Sequence, residues 1–188
     1  MYAISNIDLL KYENLKQALE TSFGDGKIIG LEKKIPGLEV PVDKLKEHLI
    51  KLINDNGYGN VIKLEENQRG ITIHILDEIL FTSGEAELSK SSLSVLNSIA
   101  GILKGIPNDI RIEGHTDNVA INTAKFPSNW HLSVTRALNT AYYLIDTEGL
   151  QPDRVSIVGY SEYKPISTNF TPEGRTLNRR VDILIIRK

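Results

Sequence analysis

Residues 110–118 of this chain are IRIEGHTDN. Ile110 and Ile112 alternate with polar residues, which is the period of a β-strand that buries one face. The strand then runs into a polar loop that extends from Thr116 to Asn118. Because ligand-binding groups gather where the strands of such sheets end, we expect the functional site at this strand end.

Predicted strands and helices alternate on both sides of this segment. Two β-branched runs over 61–65 and 71–76 predict a hairpin with a four-residue loop over 67–70. The other predicted elements are a helix over 90–104 with Ser89 as its N-cap, a helix over 129–147, and strands over 155–158 and 181–186. This order favours an α/β fold, a two-layer sandwich that has a mixed β-sheet with helices on one face.

The N-terminal third has a different pattern. Apolar residues at helical spacing predict helices over 6–22 and 42–54, and the segment 24–41 between them is rich in glycine and proline. We therefore expect a helical and linker segment over residues 1–60, followed by a single domain over residues 61–188.

The composition excludes several classes of protein. The 188 residues include 40% hydrophobic residues, which suffices for a core, and no cysteine, which excludes disulfides and thiolate metal sites. A net charge of −2 argues against nucleic-acid binding, which needs a basic surface. No apolar stretch approaches the roughly 20 residues of a membrane span. Residues 1–5 are too short for a secretory signal, so we expect any export element to lie outside this sequence.

The helix predicted over 129–147 carries a polar face. Residues three and four apart share one face of a helix, and this face carries Asn129, Ser133, Arg136 and Thr140. The predicted core stripe is a different set: Val134, Leu138, Ala141 and Ile145. We therefore expect Arg136 to lie off the core and to reach the loop that contains Asp117.

Asp117 and Arg136 together would present an anion and a cation to a ligand. A guanidinium binds a carboxylate through two parallel hydrogen bonds, and a carboxylate accepts hydrogen bonds from an ammonium group. The pair therefore suits a zwitterionic amino-acid end. The pattern equally allows a structural salt bridge between Asp117 and Arg136, since such pairs are common and contribute little.

Other chemistry finds less support. Histidine and aspartate side chains can bind a metal, and three candidates are present: His115, His131 and Asp117. Their spacing matches no compact ligand motif, so no metal or cofactor is predicted. His74 is interpreted as incidental. Ser161 lacks the second glycine of a nucleophile elbow, and we expect no enzymatic activity.

Two further features are given structural interpretations. Trp130, the single tryptophan, is interpreted as a packing residue. A group of basic residues near the C-terminus is interpreted as a solvated patch: Arg175, Arg179, Arg180 and Lys188.

Five blocks of the sequence, in order, resemble OmpA-like domains. They are LFTSGEAEL at 80–88, GHTDN at 114–118, LSVTRA at 132–137, GYSE at 159–162 with Pro165, and NRRVDI at 178–183. The resemblance implies a domain that binds peptidoglycan without cleaving it. Residue by residue, it implies ligand contacts at Asp117 and Arg136, a supporting role for Asn129, and pocket positions for Thr116 and Asn118. The implied ligand is the zwitterionic end of diaminopimelate in the peptide stem.

A narrower resemblance lies in the insertion over 126–130 and in the segment over 2–24. Both are similar to the MotB family of flagellar motor stator proteins and its sodium-driven relatives. This implies a homodimer with a plug-like segment, on the outer side of the cell membrane, whose missing transmembrane helix would meet a MotA-type channel subunit. The alternatives are a generic OmpA-type outer-membrane or lipoprotein anchor and, from another class, a metal-dependent wall hydrolase.

Overall fold

The computed structural model describes residues 42–187. Its α-helices are α1 (Val42–Asp55), α2 (Asp77–Leu80), α3 (Lys90–Lys104), α4 (Asn129–Tyr142) and α5 (Pro172–Asn178). A π-helical turn over Tyr143–Thr147 continues α4, and a short 3-10 helix spans Pro152–Arg154. Its strands are β1 (Ile62–Asn67), β2 (Gly70–Leu76), β3 (Ile110–His115), β4 (Val155–Gly159) and β5 (Arg180–Ile186). The predicted helix over 6–22, the predicted linker over 24–41 and Lys188 lie outside the described residues.

The five strands form one mixed sheet in the order β1-β2-β5-β3-β4. Strands β3 and β4 are parallel, and the other neighbouring pairs are antiparallel. The helices pack on one face, where Ile73, Ile112 and Ile183 from the three central strands join Leu96 and Ile99 of α3 in one core. The predicted α/β sandwich with a mixed sheet is therefore confirmed.

The β1–β2 hairpin is tighter than predicted. Asn67 pairs with Gly70, so the loop contains two residues, Gln68 and Arg69, and not the four residues that the sequence analysis assigned to it. The side chain of Asn67 accepts a hydrogen bond from the backbone N–H of Arg69 at 2.8 Å. Gly70 has a φ of 133°, which a residue with a Cβ atom rarely adopts. These two residues let β2 begin directly after the turn.

Helix α1 belongs to the same core. Its Leu45, Leu49 and Ile53 are buried with the central strands and α3. The helix therefore shares the core of the domain, although the sequence analysis grouped it with the segment that precedes residue 61. Within residues 42–187, no helix combines the length and the apolar character needed to cross a membrane.

Helix α4 buries a different stripe from the predicted one. Its buried residues are Asn129, Leu132, Ser133, Arg136, Ala137, Thr140 and Ala141. Val134 was predicted in the core but is 43% exposed, and Leu138 and Ile145 are only partly buried. Arg136 was predicted off the core but is 2% exposed. The polar face of the predicted helix is therefore its buried face.

Two glycines beneath α4 explain this difference. A Cβ atom at Gly114 on β3 would overlap the backbone of Ser133, and one at Gly159 on β4 would overlap Ser133 and Val134. Glycine permits such a close approach between two backbones. Because the helix lies so close to the sheet, small residues fill the contact, and a count of large apolar residues selects the wrong face.

Helix α5 was not predicted, although its start has a recognisable signal. Thr171 caps the helix by accepting a hydrogen bond from the N–H of Gly174 at 3.1 Å, and Pro172 occupies the first helical position. Both features are typical of helix N-termini. The helix ends directly before Arg179, which it brings to the beginning of β5.

Candidate functional site

A cavity of about 640 Å³ opens at the edge of the sheet where β2 and β3 end and β5 begins. Leu76 and His115 both pair with Arg180, so the three strand ends lie side by side. The residues just beyond these ends line the cavity: Asp77, Thr116, Asp117 and Arg179. The site therefore lies at the strand end that the sequence analysis indicated.

Four of the five predicted site residues line this cavity: Thr116, Asp117, Asn129 and Arg136. The fifth, Asn118, is exposed and is not among the lining residues. The cavity is also lined by residues that the sequence analysis did not single out for it, among them Asp77, Phe81 and Arg179.

Arg136 does not form a salt bridge with Asp117 in the structure, so the structural salt bridge that the sequence pattern also allowed is not formed. Its Nη1 donates to Oδ2 of Asp77 at 2.9 Å, and its Nε donates to the carbonyl oxygen of Glu85 at 2.9 Å. The guanidinium also lies over the ring of Phe81, 4.9 Å from the centroid. Two hydrogen bonds and a stacking contact therefore fix the orientation of the guanidinium.

Asp117 pairs instead with Arg179. Its Oδ2 accepts a hydrogen bond from Nη1 of Arg179 at 2.8 Å, and its Oδ1 accepts one from the N–H of Val119 at 3.0 Å. Nε of Arg179 also lies 3.6 Å from Oδ1 of Asp77. The interpretation of Arg179 as part of a solvated patch is therefore wrong, because it links the two aspartates of the cavity. The charges alternate along the line Arg136, Asp77, Arg179, Asp117.

Asn129 and Thr116 fix the loop that carries Asp117. Nδ2 of Asn129 donates to the carbonyl oxygens of Val119 at 3.1 Å and Asp117 at 3.3 Å, and its Oδ1 accepts from the N–H of Ile121 at 3.2 Å. The hydroxyl of Thr116 donates to the carbonyl oxygen of Asp117 at 2.9 Å. Both side chains are buried and bind backbone groups, so they hold the shape of the loop.

Burial and ion pairing shift the pKa values of the charged side chains in the cavity in opposite directions. Burial raises the pKa of Asp77, and the neighbouring Arg136 and Arg179 offset this only in part. Burial lowers the pKa of Arg136, but an arginine remains protonated in proteins. For Arg179, burial acts to lower the pKa, and the hydrogen bond to Asp117 and the charge of Asp77 outweigh it, so the pKa is raised.

The lining of the cavity has balanced charge. Its carboxylates belong to Asp77, Glu78 and Asp117, and its guanidiniums belong to Arg136, Arg175 and Arg179. Within residues 42–187, no group accepts a hydrogen bond from Nη2 of Arg136. Each carboxylate oxygen of Asp117 makes one hydrogen bond and retains a second lone pair. A neutral site with both a free donor and free acceptors suits a ligand that carries both charges.

The opposite face of the sheet holds a second set of buried charges. Nε of Arg180 donates to both carboxylate oxygens of Asp182 at 3.0 and 3.1 Å, and Nδ1 of His74 lies 2.8 Å from Oδ1 of Asp182. Arg180 is 3% exposed, so its assignment to a solvated patch is wrong. His74 was interpreted as incidental, but it is buried in this network. His115, which the sequence analysis considered only as a metal candidate, is fully buried, with Nε2 3.2 Å from Oδ2 of Asp182.

The donors of Glu113, His115 and Asp182 lie within 4.8 Å of one another, as in a metal site. However, Asp182 is already paired with Arg180, and Glu113 is paired with Arg69. The two guanidiniums supply the positive charge that a cation would otherwise provide, and they would repel one. The metal candidates of the sequence analysis are not brought together, because His131 is exposed and bonds to Ser128.

This fold, with a charge-balanced cavity at the strand ends, defines a small binding domain of the OmpA-like class. The chain belongs to the OmpA family, whose model matches residues 80–179. Motility protein B of Bacillus subtilis is 38% identical over 216 residues, which cover 99% of this chain and 83% of that protein.

Two other known proteins are similar over a shorter part of the chain. The peptidoglycan-binding protein ArfA of Mycobacterium tuberculosis is 37% identical over 57% of this chain and 32% of its own length. The structure of the cell wall anchor of the T6SS from Pseudomonas aeruginosa superposes with a TM-score of 0.68 at 31% identity. It covers 74% of this chain and 97% of that chain.

Proposed function

We propose that this chain is a non-catalytic peptidoglycan-binding domain that anchors a flagellar motor stator unit to the cell wall. The observation that carries the proposal is the charge-balanced cavity, in which two hydrogen bonds hold Arg136 and no group in the described range 42–187 accepts from its Nη2. The similarity to a motility protein over nearly the whole chain, and to a peptidoglycan-binding protein and a cell wall anchor over the domain, supports it.

The ligand in this proposal is the zwitterionic end of diaminopimelate in the peptide stem. Nη2 of Arg136 donates to its carboxylate, and the free lone pairs of Asp117 accept from its ammonium group. Asp77 and Arg179 do not need to move, because their charges already neutralise each other. The ligand therefore adds two opposite charges to a neutral site without leaving a buried charge unpaired.

The task of such a domain is mechanical, because a stator must resist the torque that it generates. Many weak contacts with the wall suffice to resist this torque, since a tethered domain that detaches rebinds in an effectively intramolecular step. In this proposal the domain lies outside the cell membrane and works as a homodimer. A transmembrane helix that is not part of this sequence connects it to a MotA-type channel subunit.

Of residues 1–60, which the sequence analysis set apart, those that precede α1 have a regulatory part in the proposal, which rests on the sequence. A helix as short as 6–22 is marginal alone in water, so it needs a partner. The 17 residues over 24–40 would span roughly 60 Å when extended. Order in this segment would then decide how far the domain reaches from the membrane towards the wall.

Sedimentation with purified peptidoglycan tests the proposal. The wild-type chain should sediment with the wall, and Arg136→Ala should remain largely in the supernatant. Arg187→Ala is a matched control, because Arg187 forms an exposed ion pair with Glu66 at 3.1 Å and does not line the cavity. Equal sedimentation of a folded Arg136→Ala variant and the wild type would reject the site.

A further inference from the structure

The loop over residues 118–128 forms one wall of the cavity that contains Arg136. It connects Asp117 with the start of α4, and it includes the beginning of the insertion noted in the sequence analysis. Three uncharged residues of the loop line the cavity: Val119, Ala120 and Ile121. The loop therefore shapes the site without adding a charge to its lining.

Phe126 holds this loop against the rest of the domain. Its ring is 3% exposed and forms a small apolar cluster with Ala86 and Leu132. Ile121, from the wall of the cavity, packs against the same cluster. The loop is also closed locally, because the N–H of Phe126 donates to the hydroxyl of Thr123 at 2.9 Å and its carbonyl oxygen accepts from the N–H of Thr123 at 3.0 Å. The cluster is separate from the main core of the domain.

The segment that contains Ala86 also orients Arg136. The carbonyl oxygen of the preceding residue, Glu85, accepts a hydrogen bond from Nε of Arg136 at 2.9 Å. The carbonyl oxygen of Ala86 accepts one from Nδ2 of Asn139 at 2.7 Å. The backbone of this segment is therefore bonded to α4, while the side chain of Ala86 packs in the cluster of Phe126.

Lys125 makes a second connection between the loop and this segment. Its Nζ lies 2.8 Å from Oε2 of Glu85 and 3.2 Å from Oε1 of Glu87. All three side chains are about half exposed or more, and exposed ion pairs contribute little to stability. The buried ring of Phe126 is therefore the main anchor of the loop on residues 85–87.

We propose that Phe126 is a positioning residue for the contact between Arg136 and the carboxylate of the ligand. Phe126 does not touch the ligand. It acts through Ala86 and the carbonyl of Glu85, which orients the guanidinium. The inference rests on the proposed function, because it concerns the preference of that site for a free carboxylate. Without the ring, the segment and the guanidinium gain freedom, and a ligand must restore their order on binding.

Titration with two stem peptides tests the inference. One peptide has a free carboxylate at its diaminopimelate zwitterion, and the other is amidated at that carboxylate. Phe126→Ala should reduce the preference for the free acid by about twofold to tenfold, as expected when one long side chain must be ordered on binding. Phe126→Leu keeps a buried apolar side chain and should retain most of the preference.

Two control variants separate positioning from stability. Trp130 is 48% exposed and stacks on Tyr163 with centroids 5.5 Å apart, outside the core clusters and the cavity lining, so its interpretation as a packing residue is wrong. Trp130→Ala removes a neighbouring aromatic ring and should keep the preference. Ile53→Ala removes a side chain of the main core in α1. It should lower the stability and also keep the preference of the folded protein.

Hydrogen exchange of the Nε–H of Arg136, followed by NMR, gives a readout without a ligand. It should be slow in the wild type and both controls and faster in Phe126→Ala. Wild-type exchange, or a wild-type preference for the free acid, in a folded Phe126→Ala variant would overturn the positioning role while the peptide site stands. If the wild type binds neither peptide, the proposed function fails, and faster exchange in Phe126→Ala would still support the effect of Phe126 on the guanidinium.

Discussion

Nη1 of Arg136 lies 2.9 Å from Oδ2 of Asp77, a residue 59 positions earlier in the chain. Both side chains are at least nine-tenths buried, so the pair forms part of the domain and not of its solvated surface. The carboxylate of Asp77 and the carbonyl of Glu85 hold the guanidinium before any ligand arrives. Such preorganisation lowers the entropy that a ligand must overcome on binding.

Arg136→Lys should separate the two roles of this arginine. The lysine retains the charge beside Asp77 but lacks the planar fork, so ligand binding should weaken by about tenfold to hundredfold. Arg136→Ala should show the same loss of binding and also destabilise the fold by about 3–5 kcal/mol, because Asp77 loses a buried partner. Calorimetric titration and thermal unfolding of both variants check this. A lysine variant with wild-type affinity would exclude the contact between Nη2 of Arg136 and the carboxylate of the ligand.

Asp117→Asn should weaken binding although it keeps the shape of the side chain. The amide loses the charge that attracts the ammonium group of the ligand, so the loss should be about tenfold. A stem peptide acetylated on that amine should bind the wild type weakly and lose little more in the variant. The test compares both peptides with both proteins. Equal losses on acetylation in the two proteins would remove Asp117 from the ammonium contact.

Gly114→Ala should destabilise the domain by about 1–3 kcal/mol, because the added methyl group overlaps the backbone of Ser133 and pushes α4 from the sheet. Gly101→Ala is the control, since its Cβ meets open space in helix α3 and should stabilise the domain by about 0.5–1 kcal/mol. Urea unfolding of both variants measures the difference. Equal stability of the two variants would refute the close helix–sheet contact.

Asp182 should make the stability depend on pH in the acid range. Burial acts to raise the pKa of Asp182, but the neighbouring His115 and His74 rings and the Arg180 guanidinium outweigh it and hold the pKa well below its usual range. The stabilisation is therefore complete above the unfolded pKa of about 3.9 and is lost as the pH falls below it. The unfolding midpoint should decrease below about pH 4.

The matched variants for this prediction are Asp182→Asn and Glu87→Gln. Asp182→Asn should flatten the acid dependence and lower the stability at pH 7, because Arg180 loses its buried partner. Glu87→Gln, at a side chain that is 82% exposed, should retain the wild-type profile. An unchanged acid slope in Asp182→Asn would show that another group controls it.

The sheet and most helices could be predicted because their signals are local. Strand β2 alternates Ile71, Ile73 and Ile75 with polar residues, and Ser89 caps α3 by accepting from the N–H of Ser92, as predicted. Such patterns depend only on neighbours along the chain. They sufficed to identify the class of fold and the strand end at which the cavity opens.

The ion pairs could not be predicted, because the strand order decides them. Asp77 follows β2 and Arg179 precedes β5, and only the pairing of these strands brings them beside Asp117. The buried network around Asp182 was missed for a related reason. Its polar residues alternate along the strands just as they would on a solvated face.

Titration with a chemically altered ligand tests the central claim most directly. A diaminopimelate stem peptide is compared with the same peptide amidated at the carboxylate of its zwitterionic end, in the wild type and in Arg136→Ala. The wild type should bind the free acid about tenfold to hundredfold more tightly than the amide, and the variant should bind both with similar, weak affinity. An equally large preference for the free acid in the folded variant would contradict the account.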